Sequence, residues 1–411
     1  MRLRRVVIEN YRSCLHTSVD LNPYLSVLIG PNGSGKTNIL QAILFLHKML
    51  QDDRVGQFRS SSAAVSSRLN AEFLQRKNRV KLRASIQGYP DESNNDVMTA
   101  STQRWRLSAP DNEYSVNLPL AFADNFGSSW GFSVPNRYVF YRHHSKTFTI
   151  PPDVPAWVKR DLSRVAKFCR GIRYYSASQF TNPGSCPASF QIEQDGKHRR
   201  PFRLRGHAKI LYDMYFAKKA EANNRYGQFI EIVGPRGLGL IGGLDFREVK
   251  TSSVDYSVRV GGKVEKRRRH KLLVIPQFKI GSQKLSPNQL SEGSFKTLAL
   301  LFHLITEDST LLLIEEPEVC VHHGLLSSIL GLIKSYSRHK QIILSTHSDY
   351  VLDQVKPDNV FRVMFDKEKG TLARSIKKTM TSKEVSALKA YLAQEGNLGE
   401  YWREGGLGDR S

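Results

Sequence analysis

Residues 25–37 read LSVLIGPNGSGKT, a short apolar run that breaks into a glycine-rich loop, and the helix-patterned NILQAILFLHKML follows directly. That order of strand, loop and helix is the strongest constraint in the chain. Gly30 to Thr37 satisfy G-x-x-x-x-G-K-[ST] at every fixed position. The glycines let successive backbone N–H groups turn inward around phosphate oxygens, and the helix N-terminus behind them adds partial positive charge. Asn32, Gly33, Ser34, Gly35, Lys36, Thr37 and Asn38 are therefore the candidate ATP-binding residues. Lys36 is expected to reach the β and γ phosphates and the Thr37 hydroxyl to ligate Mg²⁺.

A second stretch supplies charge of the opposite sign. LLLIEEPEVCVHH, residues 311–323, runs an apolar strand into Glu315, Glu316 and, past Pro317, Glu318. Clustered acids repel one another and lose hydration, so a strand ending this way needs a cation or a proton. Behind a phosphate loop, Glu315 fits the metal shell, and Glu316 fits a general base or water-orienting group whose proton affinity rises beside a second carboxylate. Glu318 suits the turn, where an acidic helix start also fits.

Two further elements complete the pattern. LSEGSFKTLALLFHLI, residues 290–305, places Ser291, Glu292 and Gly293 ahead of a long apolar helix, an arrangement open to phosphate binding or to simple N-capping by Ser291. QIILSTHSDYVLD, residues 341–353, ends a strand at Ser345 and sets His347 two residues on. The first resembles the signature motif of ABC-type ATPases, LSGGQ in its commonest form, with Glu292 and Ser294 as departures. The second resembles the switch histidine of that superfamily. Their order after the phosphate loop strengthens both. By the same resemblance Gln179, in RYYSASQFTNPG, matches the glutamine that couples metal and nucleotide to lobe movement, with Gln87 as a competitor.

Residues 1–50 and 285–360 together resemble the ABC-type ATPase heads of the SMC, RecF and OLD families, whose usual opening IENYRSC is similar to. The resemblance implies an α/β fold, a P-loop ABC-type head with a mixed or parallel core sheet flanked by helices, an antiparallel accessory sheet and a helical lobe. It implies ATP and Mg²⁺ as cofactors and a homodimer or higher oligomer that sandwiches ATP, each site pairing one phosphate loop with the partner's signature, so that Ser291, Glu292 and Gly293 act in trans. Arg12 matches basic residues that bind nucleotide in some relatives; a surface arginine fits equally. EEPE followed by histidines is closest to the OLD and RecF-like branch, with His323 where proline is common. The 64 residues after His347 contain no DxD, so a TOPRIM nuclease domain is not expected. In layout the chain resembles stand-alone ATPase components of bacterial anti-phage systems such as Septu and PARIS, which implies a separate nuclease or toxin-like effector protein. A RecF-like repair ATPase is the alternative, and a transporter ATPase or a slowly hydrolysing ATP-dependent scaffold are weaker ones.

Between the two matched ends the sequence constrains less. The stretch 51–70 is Ser-rich and aperiodic; residues 79–150 carry strand-like pieces split by turn residues; 155–170 and most of 205–230 have helical pattern, and strands recur over 243–280. No heptad repeat is sustained, so no long coiled coil is expected. Division by motif gives a first ATPase lobe over 1–180, a helical and basic insert over 181–284, a second ATPase lobe over 285–380 and a tail over 381–411. That tail, with its aromatic residues among glycines, fits either docking of a partner or packing on its own head.

Charge favours a polyanionic partner. The 61 Lys and Arg against 38 Asp and Glu leave a formal +23 over 411 residues. Arg199, Arg200, Arg203 and Arg205 in one run, and Lys266, Arg267, Arg268 and Arg269 in another, are nucleic-acid candidates; solvated charge runs fit both as well. The four cysteines form no CxxC pair, which fits a reducing cytoplasm. Neither a signal peptide nor a membrane-spanning run of about 18 apolar residues is present, so no membrane is expected among the partners.

Overall fold

The computed structural model describes residues 1–51, 67–75, 78–87, 99–109, 112–119, 129–134, 137–142, 156–193, 206–220, 224–258, 264–319, 321–394 and 396–405. In chain order the strands and helices begin with β1 (Arg2–Tyr11), β2 (Cys14–Asp20), β3 (Leu25–Ile29), α1 (Lys36–Gln51), β4 (Ser67–Gln75), β5 (Asn78–Gln87), β6 (Thr99–Ala109), β7 (Asn112–Pro119), β8 (Ser129–Val134) and β9 (Arg137–Arg142). There follow α2 (Ala156–Arg170), β10 (Ile172–Ser176), β11 (Phe190–Glu193), α3 (Gly206–Lys219), α4 (Arg225–Val233), β12 (Gly243–Val258), β13 (Val264–Ile280), β14 (Gln283–Leu285), α5 (Glu292–Ile305) and β15 (Leu311–Glu315). The last are α6 (His323–Ser337), β16 (Gln341–Thr346), α7 (Asp349–Asp353), β17 (Val360–Asp366), β18 (Gly370–Ser375), α8 (Ile376–Thr379), α9 (Ser382–Ala393) and α10 (Leu398–Arg403).

Two compact units divide the chain, Met1–Tyr174 with Asp308–Glu316 and Ile333–Ser411 forming the first, and Tyr175–Glu307 with Pro317–Leu332 the second. A six-stranded sheet in the order β10-β15-β16-β3-β17-β18 positions the site. Strands β15, β16, β3 and β17 run parallel, and β18 returns antiparallel to β17. Every residue of β3 and β16 is buried, as are the four leucine and isoleucine positions of β15. Near-continuous apolar strands of this kind require cover on both faces. On one side that cover is a core in which Ile39, Leu40, Ile43 and Leu46 of α1 cluster with Val165, Phe168 and Cys169 of α2. The buried polar residue Gln341 is satisfied: its amide donates to the carbonyls of Leu3 (2.8 Å) and Asn22 (2.9 Å), and its oxygen accepts from the Leu3 N–H (2.8 Å). It thereby ties the start of β16 to β1.

An eight-stranded sheet in the order β2-β1-β4-β5-β6-β7-β8-β9 holds the strands expected over 79–150, each pair of neighbours antiparallel, and extends them through β4 to the N-terminal hairpin. In the second unit the strand pattern over 243–280 becomes one long hairpin, β12 with β13, on which β11 and β14 also pair. Helix α5 packs there by its apolar length, with Phe302 edge-on to Phe229 of α4 (5.5 Å) and Phe295 against His207 of α3 (4.8 Å). The tail packs on its own unit: Leu398 is buried, the Gly399 N–H donates to Asp353 (2.6 Å) and Arg403 pairs with Asp349 (3.0 Å). Cys14, Cys169 and Cys186 are free and buried, and burial pushes the Cys186 thiol up to about 12. Among the described residues no helix is long and apolar enough to cross a membrane.

Candidate functional site

Register brings three distant sequences to one edge. Glu315 is level with Ser345, Ser345 with Leu28, and Thr346 with Ile29, because β15, β16 and β3 are parallel and in step. Parallel strands all deliver their carboxyl ends to the same side, which is where open α/β sheets hold ligands. The loop after β3, the acids after β15 and the histidine after β16 therefore share that edge.

The loop has the backbone that the glycines were expected to supply. Gly33 and Gly35 have φ of +79° and +101°, values that L side chains rarely adopt. Lys36 is buried, and its ammonium donates to the carbonyls of Gly30 (2.7 Å) and Pro31 (2.9 Å), while Asn32 is exposed. The Thr37 hydroxyl, in the first turn of α1, donates to one oxygen of Glu315. The Tyr174 hydroxyl, from β10, donates to the other.

Glu315 and Glu316 diverge because the chain leaves the strand between them. Glu316 takes φ +47°, in the left-handed region, while its N–H donates to the Ser345 carbonyl (2.9 Å). For a residue other than glycine this conformation costs of order 1–2 kcal/mol, and such residues cluster at functional sites. The consequence is a separation of roles: Glu315 turns to Thr37, and the Glu316 carboxylate lies 3.5 Å from Nδ1 of His347, both side chains partly exposed. Glu318 falls in the turn that follows, its carbonyl accepting from the Val321 N–H (3.2 Å).

A second ring of residues braces the loop. Arg12 occupies the two-residue turn between the paired Tyr11 and Cys14, at φ +51°, stacks over the Tyr11 ring (5.3 Å) and donates to Asn38 (3.2 Å). Asn38 donates to the Ser13 hydroxyl (2.6 Å), and the Thr371 hydroxyl lies within hydrogen-bond distance of the Ser13 hydroxyl (2.7 Å) and the Ser34 carbonyl (3.1 Å). Sequence reasoning missed Tyr174, Ser13 and Thr371. Tyr174 carried a faint signal, an amphipathic aromatic in a strand near Gln179. Thr371 carried none, lying some 335 positions from the loop it braces.

The remaining candidates are described on their own elements. Ser291, Glu292, Gly293 and Gln179 belong to the second unit. Ser291 is the N-cap of α5, accepting from the Ser294 N–H (3.2 Å) and donating to its hydroxyl (2.8 Å). Glu292 pairs with the buried ammonium of Lys296 (2.6 Å) and accepts from the Asn182 N–H (3.4 Å). Gln179 is exposed on a short 3₁₀ turn, Ala177–Phe180. Arg199, Arg200, Arg203 and Arg205 lie outside the described residues. For Lys266 to Arg269 the backbone alone is described, on β13 opposite Tyr256 to Ser253.

Chemically the edge suits a nucleotide with its metal. The hydroxyls of Ser34 and Ser345 are buried and have no hydrogen-bond partner, polar atoms left over at the loop and at the end of β16. No group of three or more His, Cys, Asp or Glu able to hold a metal occurs among the described residues. Thr37 and Glu315 instead offer hard oxygen donors, the sparse protein set that Mg²⁺ uses when phosphates supply the rest.

A family described as "AAA ATPase domain" matches residues 1–121, and one described as "AAA domain, putative AbiEii toxin, Type IV TA system" matches residues 197–353. The chain is similar to the DNA replication and repair protein RecF of Psychromonas ingrahamii, 48% identical over 46 residues, and to that of Lactobacillus gasseri, 31% identical over 90 residues. These matches cover 11% and 21% of this chain and only 13% and 24% of the two relatives. Among solved structures, an SMC head bound to the C-winged helix domain of ScpA aligns over 92% of this chain and 100% of its own at 16% identity and a TM-score of 0.48. The SMC head domain from Thermotoga maritima aligns over 91% and 99% at 13% identity and a TM-score of 0.40. The phosphate loop thus falls inside one AAA-type match and the acidic strand with its histidine inside the other, and in sequence the chain is similar at both ends of its site to AAA-type ATPases.

Proposed function

We propose that the chain binds and hydrolyses ATP and uses that cycle as a dimeric switch. The observation that carries this reading is the parallel edge on which Lys36, Thr37, Glu315, Glu316 and His347 converge. Lys36 offsets phosphate charge from within the loop. Thr37 and Glu315 would hold Mg²⁺, with Gln179 as a further ligand, and the bound ion would draw charge from the phosphate oxygens. Glu316 accepts the proton of the attacking water, and His347, in reach of that carboxylate, orients the same water. Ser291, Glu292 and Gly293 complete the site from a partner copy, and Arg12 adds a charge beside Asn38.

On this reading ATP closes two protomers, and a separate nuclease or toxin-like effector is held or released, in the cytoplasm, as part of anti-phage defence. The description of the family matched over 197–353, with its putative toxin and toxin–antitoxin system, supports that context. A second reading, a DNA repair ATPase, is favoured by the similarity to the DNA replication and repair protein RecF. Copurification with the products of neighbouring genes separates the two. For the chemistry, Glu316→Gln in the full chain is expected to lower ATP turnover by about 10²–10⁴-fold while nucleotide binding persists. Turnover equal to that of the wild type removes Glu316 from the role.

A further inference from the structure

We infer that Tyr174 is a positioning residue that fixes the Glu315 carboxylate for the metal. The inference rests on the reading of Glu315 as the metal-side residue. Glu315 has one more rotatable bond than an aspartate, so a strand-end glutamate at a metal site needs outside restraint to present one geometry. Two hydroxyls supply it here, one on each oxygen: Thr37 on Oε1 and Tyr174 on Oε2. The two are not equivalent. Thr37 is itself a proposed metal ligand, whereas Tyr174 acts on the carboxylate without a role at the metal.

Tyr174 is built for a fixed role. It lies on β10, the strand beside β15 in the six-stranded sheet, and its half-buried ring packs against the core that holds Phe168, Ile172 and Leu313. A planar ring seated this way delivers its hydroxyl with little conformational freedom. Its neighbour Tyr175 points the other way by strand alternation and donates to the Lys296 carbonyl (3.1 Å). The adjacent tyrosines are therefore not redundant, and Tyr174 alone meets the carboxylate.

The test is equilibrium binding of a fluorescent ATP analogue to the full chain across an MgCl₂ series and in EDTA, for Tyr174→Phe, Glu315→Gln, Glu315→Asp and Tyr174→Phe/Glu315→Asp. Tyr174→Phe keeps the ring and removes only the hydroxyl. It is expected to raise the Mg²⁺ concentration at half-maximal enhancement of binding by about 10–100-fold, the usual scale for losing a group that orients a ligand, with affinity in EDTA unchanged. In the Glu315→Asp background, where the carboxylate is withdrawn by one methylene, the same substitution is expected to add less than about threefold. A Tyr174→Phe midpoint equal to wild type, with Glu315→Gln shifted, overturns the inference and leaves the metal reading standing. A midpoint that Glu315→Gln does not move overturns both. If Tyr174→Phe binds poorly in EDTA as well, or shifts the midpoint equally in both backgrounds, the tyrosine is structural and the inference fails.

Discussion

Gly35→Ala isolates what the fold demands of the phosphate loop. At φ +101° an alanine costs of order 1–3 kcal/mol in backbone strain alone. Its Cβ would also stand 2.0 Å from the Thr371 hydroxyl oxygen, 2.8 Å from the Thr371 methyl and 2.9 Å from the Ser13 hydroxyl. Thr371 is fully buried and bonded to Ser13 and Ser34, so it cannot swing aside, and overpacking of this kind adds about 1–3 kcal/mol. The total is about 2–6 kcal/mol. Gly33→Ala is the control: at φ +79° with no atom within 4 Å of its Cβ, it carries backbone strain of about 1–2 kcal/mol and nothing more. All four tryptophans of the chain, Trp105, Trp130, Trp157 and Trp402, belong to the first unit, so urea unfolding followed by their fluorescence reports on the unit that contains the loop. With a slope of about 2 kcal/mol per molar, Gly35→Ala is expected to lower the midpoint by about 1–3 M and Gly33→Ala by less than about 1 M. Thr371→Ala in the Gly35→Ala background is expected to restore part of the loss, a coupling of about 1–3 kcal/mol. Equal midpoints for the two glycine variants, or strictly additive losses with Thr371→Ala, would falsify the steric argument.

Two further outcomes follow from the second unit. His207 is buried between Phe180 and Phe295 with its Nε2 unpartnered, and burial lowers its pKa, opposed by a bond to the Phe180 carbonyl and by the charge of Glu292. Because the unfolded imidazole then takes up its proton first, the group leaves stability unaffected well above its ordinary value of about 6.5 and destabilises the fold as pH falls below it. Urea midpoints by circular dichroism should fall between pH 7.5 and 5.5, and by less in His207→Phe; an equal fall in the variant rejects the assignment. Charge reversal at Arg267, Arg268 and Arg269 is expected to weaken binding to double-stranded DNA and flatten its salt dependence, and binding indifferent to both salt and reversal removes nucleic acid from the reading.

Much of the site is local chemistry and could be read from the chain alone. Gly30–Thr37, Glu315 with Glu316, and His347 each sit where a strand ends or a helix begins, and those junctions leave patterns a few residues long. The apolar runs at 25–29, 311–314 and 342–344 likewise announce buried strands, since a strand covered on both faces has no polar positions to show. The hairpin of β12 and β13 and the extension of the N-terminal strands into an eight-stranded sheet were less legible, because strand pairing is decided by partners far away in sequence.

Residue types at junctions, and therefore the chemistry available, were determined by the sequence itself: a phosphate loop, an acidic strand end, a capped helix and a histidine. Which of them meet was decided only by the tertiary structure. The register of β15, β16 and β3 sets Thr37 on Glu315 and His347 beside Glu316, and the left-handed turn at Glu316 separates two neighbouring carboxylates that a sequence shows as a pair. Tyr174, Ser13 and Thr371 enter the site through side-chain bonds that span from 25 to 358 positions, and no local pattern records a contact made by closing so long a loop.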